Sequence, residues 1–204
     1  MKRSLRTAAL CAIVAVLTLP VLAADGPAKI PADYKGTPAS GKAIELPGTI
    51  HLTEYDKGDG TVSASKPRVA NFDKSHKTIK GEAEDTSQKY LGWTSKGQWV
   101  KITVHVKEAG TYVIGGHFAA AGKKGKLSFS FNDITTGPVA IPTTDGYLPG
   151  VEVYHVWEQL DNLAEVKLAE GDYVFCCKIE EDGGFNLESV TVKKKSDAAE
   201  KSEK

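Results

Sequence analysis

The stretch QWVKITVHV at residues 98–106 carries an apolar side chain at every second position. These positions are Val100, Ile102, Val104 and Val106. A period of two is typical of a β-strand with one buried face, because successive side chains of a strand point to opposite sides of the sheet. The stretch therefore predicts a strand that covers a core on one side.

The same alternation returns along the chain, between turns rich in glycine. It is found in TYVIGGHF (111–118), LSFSF (127–131) and DYVFCCKI (172–179), with further strands expected at 154–160 and 187–192. Beyond residue 23 no segment of useful length has a helical apolar period. Short strands separated by turn residues are typical of antiparallel sandwiches and barrels. The sequence therefore predicts an all-β fold.

The two ends of the chain lack this pattern. Residues 1–23 place three basic residues before an apolar run that closes on Val21-Leu22-Ala23, which is typical of a secretory signal peptide. The run is too short for a membrane span and contains a proline. Residues 24–42, rich in Pro, Gly, Ala and Lys, predict a flexible leader, and residues 194–204 a disordered charged tail. One domain is expected at 43–193, in a secreted protein of the periplasm or the extracellular space.

Charge and cysteine content narrow the classes of partner. The chain has 26 basic and 26 acidic residues, and removing the three basic residues of the signal leaves 23 against 26. A mildly acidic chain without a basic stripe does not fit nucleic-acid binding.

Cys176 and Cys177 are adjacent. On a strand Cys177 is therefore expected in the core and Cys176 outside, and a strained vicinal disulfide is the alternative. The histidine spacing does not indicate zinc.

Six short motifs follow one another along the predicted domain. They are GWTSKGQW (92–99), EAGTYVI (108–114), SFSFND (128–133), VWEQL (156–160), LAEGDY (168–173) and GGFNLESV (183–190). In their sequence and order these motifs resemble the carbohydrate-binding modules of family 6, over nearly the whole predicted domain. The resemblance implies an antiparallel β-sandwich of the jelly-roll type, similar to galactose-binding domains. It also implies a glycan or polysaccharide ligand, bound without catalysis in a cleft formed by loops at one end.

In that family two aromatic rings clasp a pyranose and an asparagine of the closing segment bonds its hydroxyls. The resemblance transfers the asparagine to Asn186 and one ring to Tyr154. A turn asparagine and an exposed tyrosine at a strand edge are the alternatives. The second ring normally follows the first strand, where this chain has Ser63, so Tyr147 or Tyr90 is expected to replace it. Trp93, Trp99 and Trp157 are expected to serve mainly the core.

The resemblance also implies a structural calcium ion held by acidic residues of the first strand, but this chain has His51 and Thr53 there. Acidic residues that remain nearby are Glu54, Asp56, Asp59 and Asp133. A solvated acidic face is the simpler interpretation, and a bound calcium ion is the alternative. Two other functions stay open. One is an adhesion or structural protein with a secreted or cell-surface protein partner, and the other is a glycoside hydrolase using the acidic turn at 180–182.

Overall fold

The computed structural model describes residues 27–121, 125–144, 151 and 153–196. Those residues form twelve strands: β1 (Ile44–Leu46), β2 (Gly48–His51), β3 (Arg68–Asn71), β4 (Lys77–Thr78), β5 (Lys89–Gly92), β6 (Trp99–Val106), β7 (Gly110–Ala120), β8 (Gly125–Phe131), β9 (Ile134–Ile141), β10 (Val156–Leu168), β11 (Gly171–Glu181) and β12 (Phe185–Lys194). Two short 3-10 turns, Leu52–Glu54 and Val153–His155, precede β3 and β10. Among these residues no helix is long and apolar enough to cross a bilayer.

The strands form two sheets. The five-stranded sheet has the order β1-β6-β11-β8-β9. The seven-stranded sheet has the order β3-β5-β12-β7-β10-β4, and β2 pairs with β12 beside this path. Neighbours are antiparallel except at two edges, where β1 pairs with β6 and β4 with β10 in parallel. The predicted antiparallel sandwich is confirmed, with these two edge pairs as local exceptions.

The core lies between the sheets and is formed by the alternating positions of the sequence. The four alternating residues Val100, Ile102, Val104 and Val106 are buried, as are their counterparts on the neighbouring strands, such as Phe129 and Phe175. Cys177 also belongs to this core, whereas Cys176 is partly exposed on the other side of β11, and both are free thiols. The prediction that one cysteine faces inward and one outward is confirmed.

The seven-stranded sheet carries a second apolar cluster on its outer face. Its buried members are Phe72, Tyr90, Ala119 and Trp157. This follows from the period of two, because their neighbours in sequence, for example Leu91 and Phe118, point into the sandwich. The outer face is therefore also covered, and the expected structural role of Trp157 is confirmed.

The segment predicted as a flexible leader contacts the sandwich from residue 28 onward. Ala28 exchanges backbone hydrogen bonds with the turn before β11, donating to Glu170 over 2.8 Å. The Tyr34 hydroxyl donates to the Asp56 carboxylate over 2.9 Å. Asp56 is buried and also accepts hydrogen bonds from the main-chain N–H and hydroxyl of Thr103. Residues 28–37 thus form a strap fixed at several points, which differs from the expected leader.

Two strands also end later in the chain than the sequence predicts. Strand β10 continues to Leu168 through an irregularity near Asn162, whose φ is 57°. Strand β12 continues to Lys194, and the N–H of Lys195 still bonds to Thr111. The predicted signal peptide at 1–23 and most of the predicted tail, residues 197–204, lie outside the described residues.

Candidate functional site

A cleft of about 350 Å³ opens at one end of the seven-stranded sheet, where β5 ends and where β10 and β12 begin. Its described lining consists of Tyr90, Trp93, Thr94, Tyr154, His155, Gly184, Phe185 and Asn186. This volume lies within the range of roughly 300–1,000 Å³ that is usual for small-ligand sites. Aromatic rings and a few polar groups dominate the lining. Asn186, Tyr154 and Tyr90, which the sequence analysis proposed from separate segments, meet here.

Asn186 lies at the start of β12 on its outer face and is 8% exposed. Its side-chain N–H donates a 2.7 Å hydrogen bond to the main-chain carbonyl of Tyr154. Its carboxamide oxygen lies beside Gly92, where any side chain would come within 3.0 Å of that oxygen. The amide is therefore fixed in orientation at the wall of the cleft.

Tyr154 lies in the 3-10 turn before β10, and 48% of it is exposed. Its ring packs over Gly184, where an added Cβ would come within 3.0 Å of the ring. Gly184 has a φ of 61°, a backbone conformation that glycine adopts without strain. Two features at the beginning of β12 therefore fix the position of Tyr154. The amide of Asn186 bonds to its main-chain carbonyl, and Gly184, which has no side chain, leaves room for its ring.

Trp93 follows the last residue of β5 and is 64% exposed, so the expectation that it serves mainly the core is wrong. Its φ is 52°, and a bulky residue in this left-handed region costs about 1–3 kcal/mol. The left-handed turn directs the chain out of the sheet and leaves the indole at the cleft. The hydroxyl of Thr94 donates to the carbonyl of Phe185 over 2.7 Å and ties this turn to β12.

The other candidates for a second ring have different positions. Tyr90 lines the cleft but is only 4% exposed, and its ring packs against Phe72 and Trp157. It therefore belongs to the floor of the cleft and offers no open stacking surface. Ser63 is buried and bonds to Ser65 and Trp99, away from the described lining. Tyr147 lies outside the described residues.

His155 is a lining residue that the sequence analysis did not single out. Its ring stacks on that of His76, with centroids 3.9 Å apart and planes 20° from parallel. Its Nδ1 lies 2.9 Å from the hydroxyl oxygen of Ser75. No sequence motif marks this position, because the stack joins residues about eighty positions apart.

A partly buried ionic network centred on Glu188 lies on the same outer face as Asn186, two residues further along β12. Both oxygens of Glu188 are engaged, one 2.5 Å from Nδ1 of His51 and the other 3.5 Å from Nδ1 of His117. The Nε2 of His117 lies 3.4 Å from Glu84. Burial alone would lower the pKa of His117, but its two acidic partners outweigh this effect and raise the pKa to about 9.

The pKa of Glu188 is shifted in the opposite direction. Burial would raise the pKa of its carboxyl group, but hydrogen bonds from His117 and His51 outweigh burial and lower the pKa to about 2. The pKa of His51 is raised, chiefly by its hydrogen bond to Glu188. Between these two pKa values His117 and Glu188 carry opposite charges. The network therefore supports the outer layer that carries the cleft.

The acidic residues considered for calcium do not form a binding site. The Asp56 carboxylate is committed to Tyr34 and Thr103, and His51 is committed to Glu188. Among the described residues no group of three or more His, Cys, Asp or Glu side chains is arranged to hold a metal ion. The residues present thus do not fit the calcium site that the resemblance implied.

The acidic turn considered for hydrolysis also points elsewhere. Glu180 accepts a hydrogen bond from Ser128, and Glu181 pairs with Lys126 on the five-stranded sheet. Asp182 accepts a hydrogen bond from the N–H of Lys96. A glycosidase of the usual kind needs two carboxyl groups that flank the scissile bond. The described lining of the cleft contains no carboxyl side chain.

Comparison with known proteins bears on the fold. No protein-family model matches the chain, and no curated protein matches it in sequence. Solved structures do match. A carbohydrate-binding module of Cellvibrio mixtus lichenase 5A, determined with cellotriose, is 21% identical with a TM-score of 0.54, covering 74% of this chain and 98% of that one. A β-1,3-glucan binding module from Bacillus halodurans is 17% identical with a TM-score of 0.55, covering 74% and 99%.

A third similar structure is the C-terminal family 6 module of a laminarinase from Zobellia galactanivorans, with 17% identity and a TM-score of 0.51. It covers 72% of this chain and 98% of the module. This chain has the fold of a family 6 carbohydrate-binding module. The family 6 fold accounts for both sheets and for nearly the full length of each module compared. Since fewer than a quarter of the residues are identical, the function of the cleft must be argued from its own side chains.

Proposed function

We propose that this chain is a non-catalytic carbohydrate-binding protein that holds one sugar ring in the cleft between β5, β10 and β12. Trp93 and Tyr154 supply the stacking surfaces, and Asn186 supplies hydrogen bonds to the sugar hydroxyls. The single observation that carries the proposal is that two exposed aromatic residues, Trp93 and Tyr154, and a fixed amide line one cavity.

The chemistry of these groups suits a pyranose. A sugar ring has an apolar face of C–H groups that packs on an aromatic face, and a hydroxyl edge that needs a few oriented polar partners. The amide of Asn186 is already oriented by its bond to Tyr154, so little side-chain freedom is lost when a ligand binds. Tyr154 is likewise held in place by Gly184. Such pre-organisation favours affinity without any catalytic group.

We propose β-glucan oligosaccharides as the first ligands to test. Two proteins of the same fold are described as bound to cellotriose or as binding β-1,3-glucan. The described lining is mostly aromatic, with one side-chain amide and no carboxylate, which suits a neutral sugar. A hydrolytic role finds no support in this lining, because it lacks a pair of carboxyl groups.

We also propose that the protein is exported and acts outside the cytoplasm, where polysaccharides are accessible. The support is the sequence of residues 1–23, whose basic start and apolar run are typical of a cleaved signal. Fractionation of expressing cells tests this part directly. Recovery of the uncleaved chain in the cytoplasm would contradict it.

The sugar-binding proposal is tested by retention of the chain without residues 1–23 on insoluble polysaccharides and on a glycan array. We expect retention of the wild type on at least one β-glucan, and its loss in Tyr154→Ala and in Asn186→Ala. Binding to no glycan of a broad panel would contradict the proposal. Capture of a protein partner that both variants still bind would favour the adhesion function instead.

A further inference from the structure

The indole of Trp93 contacts a residue that is not part of the described cleft lining. The ring is mostly exposed and follows a left-handed backbone turn, so neither a core nor a regular strand fixes its orientation. An exposed ring on such a turn would normally sample several rotamers. A stacking platform that moves in this way binds a sugar weakly, because ordering the ring on binding costs free energy.

Arg68 supplies the missing support. It is the first residue of β3 and pairs directly with Gly92, the residue before Trp93. Its guanidinium carbon lies 5.5 Å from the centroid of the Trp93 ring, within the distance of about 6 Å at which a cation over an aromatic face is attracted to it. Trp93 lines the cleft, whereas Arg68 is not part of the described lining. The cation therefore contacts the ring from outside the cavity.

We propose that Arg68 is a positioning residue that holds the Trp93 indole at the cleft and so sets the affinity for the sugar ring. This inference rests on the proposed function. In this proposal the guanidinium covers the face of the indole that is turned away from the cavity, and the other face is left for the pyranose. Arginine suits this task because its planar group both stacks on an aromatic ring and carries a permanent charge.

The test compares Arg68→Ala with a matched variant, Lys89→Ala. Lys89 is the first residue of β5 and pairs with Asn71 at the other end of the same strand pair, so its removal changes the charge equally without touching Trp93. We expect Arg68→Ala to weaken binding of a β-glucan oligosaccharide about 2- to 5-fold in calorimetry, the effect of one exposed cation–π contact. Lys89→Ala should bind like the wild type, and Arg68→Lys should recover part of the loss.

A second readout reports on the indole without any ligand. The chain has three tryptophans, so a ¹⁵N-labelled sample gives three indole N–H signals, and Trp93→Phe identifies one of them. We expect Arg68→Ala to shift and sharpen the Trp93 signal alone. An unchanged Trp93 signal, or equal affinity losses in Arg68→Ala and Lys89→Ala, would overturn this inference. Absence of glycan binding in the wild type would instead overturn the proposed function, a result that the indole signal does not depend on.

Discussion

The side-chain amide of Asn186 donates a 2.7 Å hydrogen bond to the main-chain carbonyl oxygen of Tyr154. This bond joins the start of β12 to the turn before β10, two segments that are thirty-two residues apart. It explains how one asparagine serves both the structure and the cleft. One N–H of the amide bonds to the tyrosine turn, and in the proposed function the other polar positions of the amide bind the ligand.

Asn186→Ala should therefore reduce glycan affinity more than a single lost contact would. The substitution removes a ligand partner and also frees the turn that carries Tyr154. We expect at least a tenfold loss of affinity, with a decrease of about 1 kcal/mol in the free energy of unfolding. Calorimetric titration and urea denaturation measure the two effects.

Asn132→Ala is a matched control on the five-stranded sheet. Asn132 also fixes backbone with its side chain, since its oxygen accepts the N–H of Val174 and its amide donates to Lys29. We expect a larger loss of stability, because Asn132 makes two such bonds and has a φ of 55°, which asparagine tolerates better than alanine, and unchanged glycan binding. A comparable loss of affinity in both variants would mean that Asn186 acts only through general stability.

Gly184→Ala tests whether the position of the Tyr154 ring matters. The new methyl group would lie 3.0 Å from the ring and 3.0 Å from the carbonyl of Ala121, at a φ of 61°. Gly137 has a similar φ of 69° and open space around it, so Gly137→Ala shares the backbone strain alone. We expect both variants to lose about 1 kcal/mol of stability, and only Gly184→Ala to lose affinity, by about tenfold. Equal affinities would show that the ring needs no fixed position.

The ionic network predicts a dependence of stability on pH. The pKa of His117 is raised to about 9 in the folded chain, against about 6.5 when unfolded. The stabilisation is therefore complete below about pH 6.5 and is lost as the pH rises through about 9. We expect the free energy of unfolding to fall by on the order of 2 kcal/mol across this range. Urea denaturation at a series of pH values measures the slope.

His117→Gln should remove most of this alkaline slope. His105→Gln is the control, because His105 pairs with Asp172 over 2.8 Å at an exposed position. Exposed ion pairs contribute little, so the slope of that variant should match the wild type. A wild-type stability that is constant between pH 6.5 and 9 would contradict the described network.

The N-terminal strap predicts a contribution to stability that is independent of the cleft. Tyr34→Phe removes one donor to the buried Asp56 carboxylate, which keeps its bonds from Thr103. We expect a loss of about 1.5 kcal/mol in urea denaturation, faster proteolysis within residues 28–37, and unchanged glycan binding. Thr37→Ala, at an exposed position of the same strap, should stay within about 0.5 kcal/mol of the wild type. Full stability in Tyr34→Phe would indicate that the strap does not hold the sheet.

The sandwich was predictable because the apolar side chains that form its core recur at every second residue of the strands. Alternation at Val100, Ile102 and Val104 places these side chains in a core whatever the partner strand is. The strap was not predictable, because its contacts are mostly backbone hydrogen bonds of Ala28 and Thr37, together with the hydrogen bond from Tyr34 to Asp56. Backbone hydrogen bonds do not depend on the type of residue, so they leave no pattern in the sequence. A single tyrosine in a proline-rich segment does not indicate a contact with the sandwich either.

The cleft was predictable only in part. The motif around Asn186 and the position of Tyr154 indicated two members, and the structure brings both to one cavity. The sequence predicts a core position for Trp93, because bulky aromatic side chains dominate the energy of a small sandwich core. Its exposure arises from a left-handed backbone turn, which no apolar period reveals. The network around Glu188 arises at an irregularity in the pairing of β12 with β7, which is equally invisible in a sequence.

The most direct measurement of the central claim is the affinity of Trp93→Ala and Trp99→Ala for the β-glucan oligosaccharide that the wild type binds best. Trp99 lies half-buried on the five-stranded sheet with Lys101 over its ring, away from the cleft. We expect Trp93→Ala to lose at least tenfold in affinity and Trp99→Ala to stay within about twofold. Loss of binding in Trp99→Ala with retention in Trp93→Ala would contradict the account, because the ligand would then bind the other sheet.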